Sequence, residues 1–63
     1  MKYIICVKNR HVFDQRGPFT EEEVEEAADG WGRELWSTAL TDWRLVITDR
    51  PYPQAAYVPE LEA

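Results

Sequence analysis

Apolar positions along this 63-residue chain fall into short blocks with different spacings. Tyr3-Ile4-Ile5-Cys6-Val7 is an unbroken β-branched and aromatic run, bounded by Lys2 and by the polar Lys8-Asn9-Arg10. Apolar residues on both faces of an extended segment suit a strand covered on both sides, so the run predicts the centre of a sheet. His11-Val12-Phe13 predicts a short returning strand, with Asn9-Arg10 as the turn. Asp14-Gln15-Arg16-Gly17-Pro18 reads as a loop by its polar, Gly-Pro composition.

The spacing then changes. Thr20 is a good N-cap, and Glu23 three residues on completes a capping box with it; Phe19 and Val24 flank the cap as a hydrophobic staple. A helix is expected over residues 21–29, stopping near Gly30, with Val24, Ala27 and Ala28 on one face. Glu22, Glu25, Glu26 and Asp29 project from the other. Nine residues do not make a stable isolated helix, so this one must dock on the sheet.

Beyond Gly30-Trp31-Gly32, the run Leu35-Trp36-Ser37-Thr38-Ala39-Leu40 alternates well enough for a strand, although Arg33 to Leu40 also has helix-forming composition. Trp43-Arg44-Leu45-Val46-Ile47-Thr48 is a clearer strand, joined to its predecessor by Thr41-Asp42 and ended by Pro51 and Pro53. Gln54 to Val58 suggests an edge strand closed by Pro59. The expected fold is α+β: one domain, residues 1–63, with an antiparallel sheet of three to five strands and one acidic helix packed on one face.

Charge sharpens this picture. There are 12 Asp and Glu against 7 Lys and Arg, a formal net charge of −5. Residues 1–13 hold Lys2, Lys8 and Arg10 and no acid, whereas residues 20–29 hold six acids and no base. The excess therefore belongs to the helix. It disfavours nucleic acid and anionic membrane as direct ligands, both of which need clustered cations, and favours a basic partner. The domain buries only about 60% of its unfolded surface, leaving no room for a deep substrate cleft. At least one of Trp31, Trp36 and Trp43 should therefore be part-exposed.

Candidate chemistry is sparse. His11 and Ser37 are the sole pairing open to a nucleophile and base, and they lie in different segments. One His and one Cys leave no metal-ligand set, so neither metal nor cofactor is expected and the protein reads as non-enzymatic. Cys6, within an apolar strand, reads as a small buried hydrophobe, and a lone cysteine suits a reducing, cytoplasmic compartment. The opening apolar run is too short to span a bilayer and lacks the pattern of a signal peptide.

Three stretches, taken in order, resemble the phage uracil-DNA glycosylase inhibitors. Glu22-Glu23-Val24-Glu25-Glu26 is similar to that family's acidic helix. Leu35-Trp36-Ser37-Thr38-Ala39 is similar to the strand after it, and Trp43-Arg44-Leu45-Val46-Ile47-Thr48-Asp49 to a later strand. Together they cover roughly residues 20–49, about half of the chain. The resemblance implies acidic side chains standing where DNA phosphates bind the enzyme. It also implies an apolar pocket that engulfs the leucine wedge used in base flipping. Glu23 and Glu26 match acidic helix positions of the family, with Glu22 beside them. A further family glutamate aligns with Gln15, one residue from Asp14, which nominates Asp14. Val24, Ala27, Trp36, Val46 and Thr48 match pocket positions, and Phe19 falls near another. Two features depart from the family: its meander between the matched strands is missing, and a basic strand opens the chain in place of a helix.

The expected function is thus a stoichiometric inhibitor of uracil-DNA glycosylase in the bacterial host cytoplasm. One alternative is an acidic phage inhibitor of another DNA-binding defence enzyme, such as a CRISPR effector or a restriction enzyme. Another, of a different class, is a small structural protein whose aromatic-rich sheet oligomerises. A homodimer is compatible with each.

Overall fold

The computed structural model describes residues 1–61. Strand β1 (Lys2–Lys8) turns through Asn9 and Arg10 into β2 (His11–Phe19), which leads directly into helix α1 (Glu21–Trp36). A turn then enters β3 (Trp43–Thr48), and an irregular tail ends in a one-turn 3-10 helix, Pro59–Leu61. The sheet is antiparallel throughout with strand order β2-β1-β3, so β1 is central, as its uninterrupted apolar run requires. The α+β class, the antiparallel sheet and the single helix on one face all match the sequence expectation.

Each face of the sheet has its own core. Ile4 and Cys6 meet Val24, Trp31 and Leu35 beneath α1, with Phe19, Ala27, Ala28, Trp43 and Leu45 packed around them. Ile5 and Val7 point to the other face and are covered by Val12 and by Val58 of the tail, together with Tyr52, Ala56 and Leu61. A helix covers one face and an irregular strap the other.

Three local expectations are corrected. Residues 14–18 form strand rather than loop: β2 continues to Phe19 and pairs with β1 along its whole length, with two register shifts. Its polar residues are tolerated because β2 is an edge, and Asp14 Oδ1 accepts from the Gln15 amide at 2.8 Å. Gly17 sits at φ +142°, and a Cβ there would come within 2.6 Å of Tyr3 Cδ2, so glycine is required at that point.

The second correction is the helix end. Gly30 does not stop α1, which continues through Gly32 to Trp36. Two interior glycines cost about 1 kcal/mol each relative to alanine. Continuing the helix buries Trp31 and Leu35, extending the stripe begun by Val24, Ala27 and Ala28. Burying Leu35 alone is worth about 1.5–3 kcal/mol, and Trp31 is larger. Tertiary burial wins.

Consequently Leu35 to Leu40 is not a strand. Leu35 and Trp36 close the helix, Ser37 caps it, and the Ser37 and Thr38 hydroxyls donate to the Glu34 and Leu35 carbonyls at 2.7 Å. The helical alternative for Arg33 to Leu40 holds as far as Trp36. Thr41-Asp42 leads from this turn into β3 rather than joining two strands. Thirdly, Gln54 to Val58 forms no regular strand, yet it does lie along the outer edge of β2. Val12 N donates to Ala56 O at 2.9 Å, Ala55 N to Val12 O at 3.0 Å and Val58 N to Arg10 O at 2.6 Å.

Candidate partner-docking site

The start of α1 is built by local chemistry. Thr20, extended at φ −77° and ψ 165°, accepts from the Glu23 amide through Oγ1 at 3.2 Å. Glu23 Oε1 accepts from the Thr20 amide at the same distance, so the capping box is complete. Phe19 packs against the cluster containing Val24, as the staple requires. Three acids occupy the first turn, where the positive end of the helix dipole favours them.

This arrangement leaves an open groove of about 360 Å³ along one flank of the helix, lined by Phe19, Glu22, Glu23, Glu26 and Ala27. Phe19 and Ala27 supply an apolar floor and the three glutamates a charged rim. Spacing explains the stripe, because positions 22, 23, 26 and 27 follow one another on a helix surface at intervals of three and four. The cap draws the Glu23 carboxylate back toward Thr20, whereas Glu22 and Glu26 are exposed. Lys2 reaches Glu21 at 4.0 Å and also pairs with Asp49, and Arg33 pairs with Asp29 at 2.7 Å. Among the described residues, Glu22, Glu25 and Glu26 form no ion pair. Farther along the helix, Arg16 lies over the Trp31 ring at 4.4 Å and pairs with Glu34 at 3.1 Å.

The expected site residues divide. Phe19, Glu22, Glu23, Glu26 and Ala27 come together. Val24 does not join them, because its side chain is buried in the core under α1. Trp36 lies at the other end of the helix, 80% exposed, with its ring edge-on to Trp43 at 5.6 Å. Val46 and Thr48 sit on the sheet face away from the helix: Val46 packs with Ile5 and Val7, and Thr48 pairs with Tyr3. Asp14 is paired with Cys6 on β2 and is not among the groove's lining residues.

The expected pocket between helix and strands therefore does not assemble from Phe19, Val24, Ala27, Trp36, Val46 and Thr48, and only Phe19 and Ala27 line the groove. The physical cause is register. Within β3 it is Leu45 that packs beneath the helix, and Trp36 belongs to the helix instead of a strand. Trp31, Leu35 and Leu45 fill the space between helix and sheet. Sequence reasoning missed Trp31 and Leu35 because Gly30 and Gly32 masked the continuing 24, 27, 28, 31, 35 stripe.

Burial pushes the Cys6 thiol up, with Asp14 adding to the effect, so the sulfur stays protonated and unreactive. His11 Nδ1 is 2.9 Å from the Asn9 carbonyl oxygen and its ring packs against Tyr57, while the Ser37 hydroxyl serves the helix cap. A second hollow of about 390 Å³, lined by Asn9, Asp42, Trp43 and Arg44, opens at the Lys8–Trp43 end of the sheet. Among the described residues no group of three or more His, Cys, Asp and Glu is placed to hold a metal ion. No helix there is long and apolar enough to cross a membrane. Comparison with known protein families, curated proteins and solved structures gives no match.

Proposed function

We propose that this protein is a non-enzymatic, stoichiometric inhibitor that lays the N-terminal flank of α1 into the basic DNA-binding groove of a DNA-processing enzyme. Uracil-DNA glycosylase is the target nominated by the resemblance of residues 20–49. The observation that carries the reading is the pairing of rim and floor: Glu22 and Glu26, without ion pairs, border an apolar floor of Phe19 and Ala27. Carboxylates held on a capped helix can take the places of phosphates without a backbone ordering cost. They also raise the rate of encounter with a basic surface. On this reading one aliphatic side chain of the enzyme lies against the apolar floor, and burying it would slow dissociation. On this reading the protein works beside its target in the host bacterial cytoplasm and touches no nucleic acid itself.

A second reading, inhibition of another DNA-binding defence enzyme such as a CRISPR effector or restriction enzyme, draws on the position of Val24, Val46 and Thr48. With these residues outside the groove, phosphate mimicry carries more of the binding and leucine capture less. Uracil excision by purified glycosylase, with the protein titrated in at low and at high salt, tests the first reading. Inhibition near one equivalent is expected. Its persistence above about 0.3 M salt, where screening acts over only several Å, would support the apolar component. Unimpaired excision at stoichiometric excess would reject the glycosylase as target.

A further inference from the structure

The two faces of the sheet are closed by unlike means. Helix α1 covers one, and its buried Val24, Trp31 and Leu35 pack on Ile4 and Cys6. Residues 51–61 strap the other, over Ile5 and Val7, and of these only Val58 is buried. Ordering a segment costs conformational entropy at every residue. In the strap, little apolar burial offsets that cost.

A row of hydrogen bonds ties the strap to the outer side of β2. The Ala55 and Val58 amides donate to the Val12 and Arg10 carbonyls, and the Val12 amide donates to the Ala56 carbonyl. The Gln15 side chain grips Tyr52 by both backbone groups: Nε2 donates to the carbonyl at 2.6 Å and Oε1 accepts from the amide at 3.1 Å. Gln54 Nε2 donates to the Phe13 carbonyl at 2.8 Å. Against these ties, Pro51, Pro53 and Pro59 offer no amide. Ala55 is also strained. It is the third residue of a turn closed between Pro53 and Ala56 at 3.1 Å, and its φ of 65° is one that glycine adopts freely and alanine does not.

We infer that residues 51–61 open and close as one unit while the sheet and helix stay folded, making the cover over Ile5 and Val7 a releasable strap. Nothing else depends on it for its own packing. The core beneath α1 contains no strap residue, and neither strand ladder includes one. Asp49 stays paired with Lys2 at the start of β1, so the moving part begins beyond it. Opening uncovers Ile5, Val7 and Val12 and frees the outer groups of β2 at Arg10 and Val12. The acidic groove is lined by none of these residues, so the strap moves independently of the proposed inhibition.

Native-state hydrogen exchange on the full chain, at neutral pH in increasing sub-denaturing urea, tests the strap. The Tyr52, Ala55 and Val58 amides are expected to exchange through one common opening. It should occur at least about tenfold more often than the global unfolding that releases the β1 amides, and with a smaller urea dependence. The Val12 amide lies in β2 but is bonded to the strap, and it should follow the strap. Thr20→Ala should raise exchange at the β1 amides about fivefold and leave the strap opening unchanged, because the cap is present in both the open and closed forms. Strap and Val12 amides that exchange only with global unfolding, or that respond to Thr20→Ala as β1 does, overturn the inference. So do strap amides that each exchange at their own rate without urea dependence, which is fraying and not a unit.

Discussion

The two halves of α1 are held by different forces. From Thr20 to Asp29 the helix is specified by its neighbours in sequence: capping box, staple, acids at the positive end of the dipole and alanines toward the sheet. From Gly30 to Trp36 the two glycines argue against a continuing helix, and Trp31 and Leu35 hold it by burial over Ile4 and Cys6. The first half carries the charged groove. The second ends in the exposed Trp36 beside an open strand edge. One helix thus presents a charged flank at its start and an exposed tryptophan at its end.

The contrast can be broken by substitution. Trp31→Ala removes the largest buried side chain of the second half and should cost about 3–5 kcal/mol, much of the stability available to a domain of this size. Urea denaturation should find it mostly unfolded at neutral pH. A loss below about 1 kcal/mol would mean that the second half is not held by burial.

Thr20→Ala removes the cap and should cost about 1 kcal/mol, acting on the first half through local hydrogen bonds alone. Hydrogen exchange should then rise most at the amides of residues 21–24, and uniform exchange along the helix would contradict the division. Gly30→Ala should act in the opposite direction, stabilising by about 0.5–1 kcal/mol, since nothing lies within 4 Å of the new methyl group and the helix gains propensity. A destabilising alanine would show that Gly30 has a purpose beyond its backbone.

The smallest effect is electrostatic. A hydrogen bond from Lys2, with its charge, holds the Asp49 carboxyl below the usual carboxylate range, and the same contact raises Lys2 above the usual lysine value. A carboxyl depressed in the folded state stabilises above its unfolded value of about 3.9 and loses that contribution as pH falls through its folded value. The raised lysine contributes below its unfolded value and loses it as pH rises through the folded one. Lys2→Met should therefore flatten the acid limb of the stability curve below about pH 4. An unchanged acid limb would mean that this exposed pair contributes nothing to folding.

These differences also explain what was legible from sequence. The central strand, the capped helix start and β3 were readable because each is dictated locally, by an unbroken apolar run, a cap or a β-branched block. The residues lining the groove were nominated through the resemblance, and they fall together because Glu22, Glu23, Glu26 and Ala27 are near neighbours on α1 and Phe19 stands just before its cap. What escaped depended on distant partners. The helix passes Gly30 and Gly32 because β1 lies below to receive Trp31 and Leu35. Asp14 to Pro18 extends because β1 supplies a pairing edge. Trp36, Val46 and Thr48 were misplaced because their assignment to a pocket rested on a strand at 35–40, and on which alternate residues of β3 turn toward the helix.

The central claim is that the groove rim, rather than net charge, engages a basic enzyme surface. Uracil excision titrated with two variants separates these most directly. Glu22→Gln with Glu26→Gln neutralises two carboxylates, and Glu60→Lys replaces one negative charge with a positive one, so each changes the net charge by +2, from −5 to −3. The groove variant is expected to weaken inhibition about tenfold or more, and Glu60→Lys to match the wild type. Equal weakening by both, or full inhibition by the groove variant, would contradict the claim.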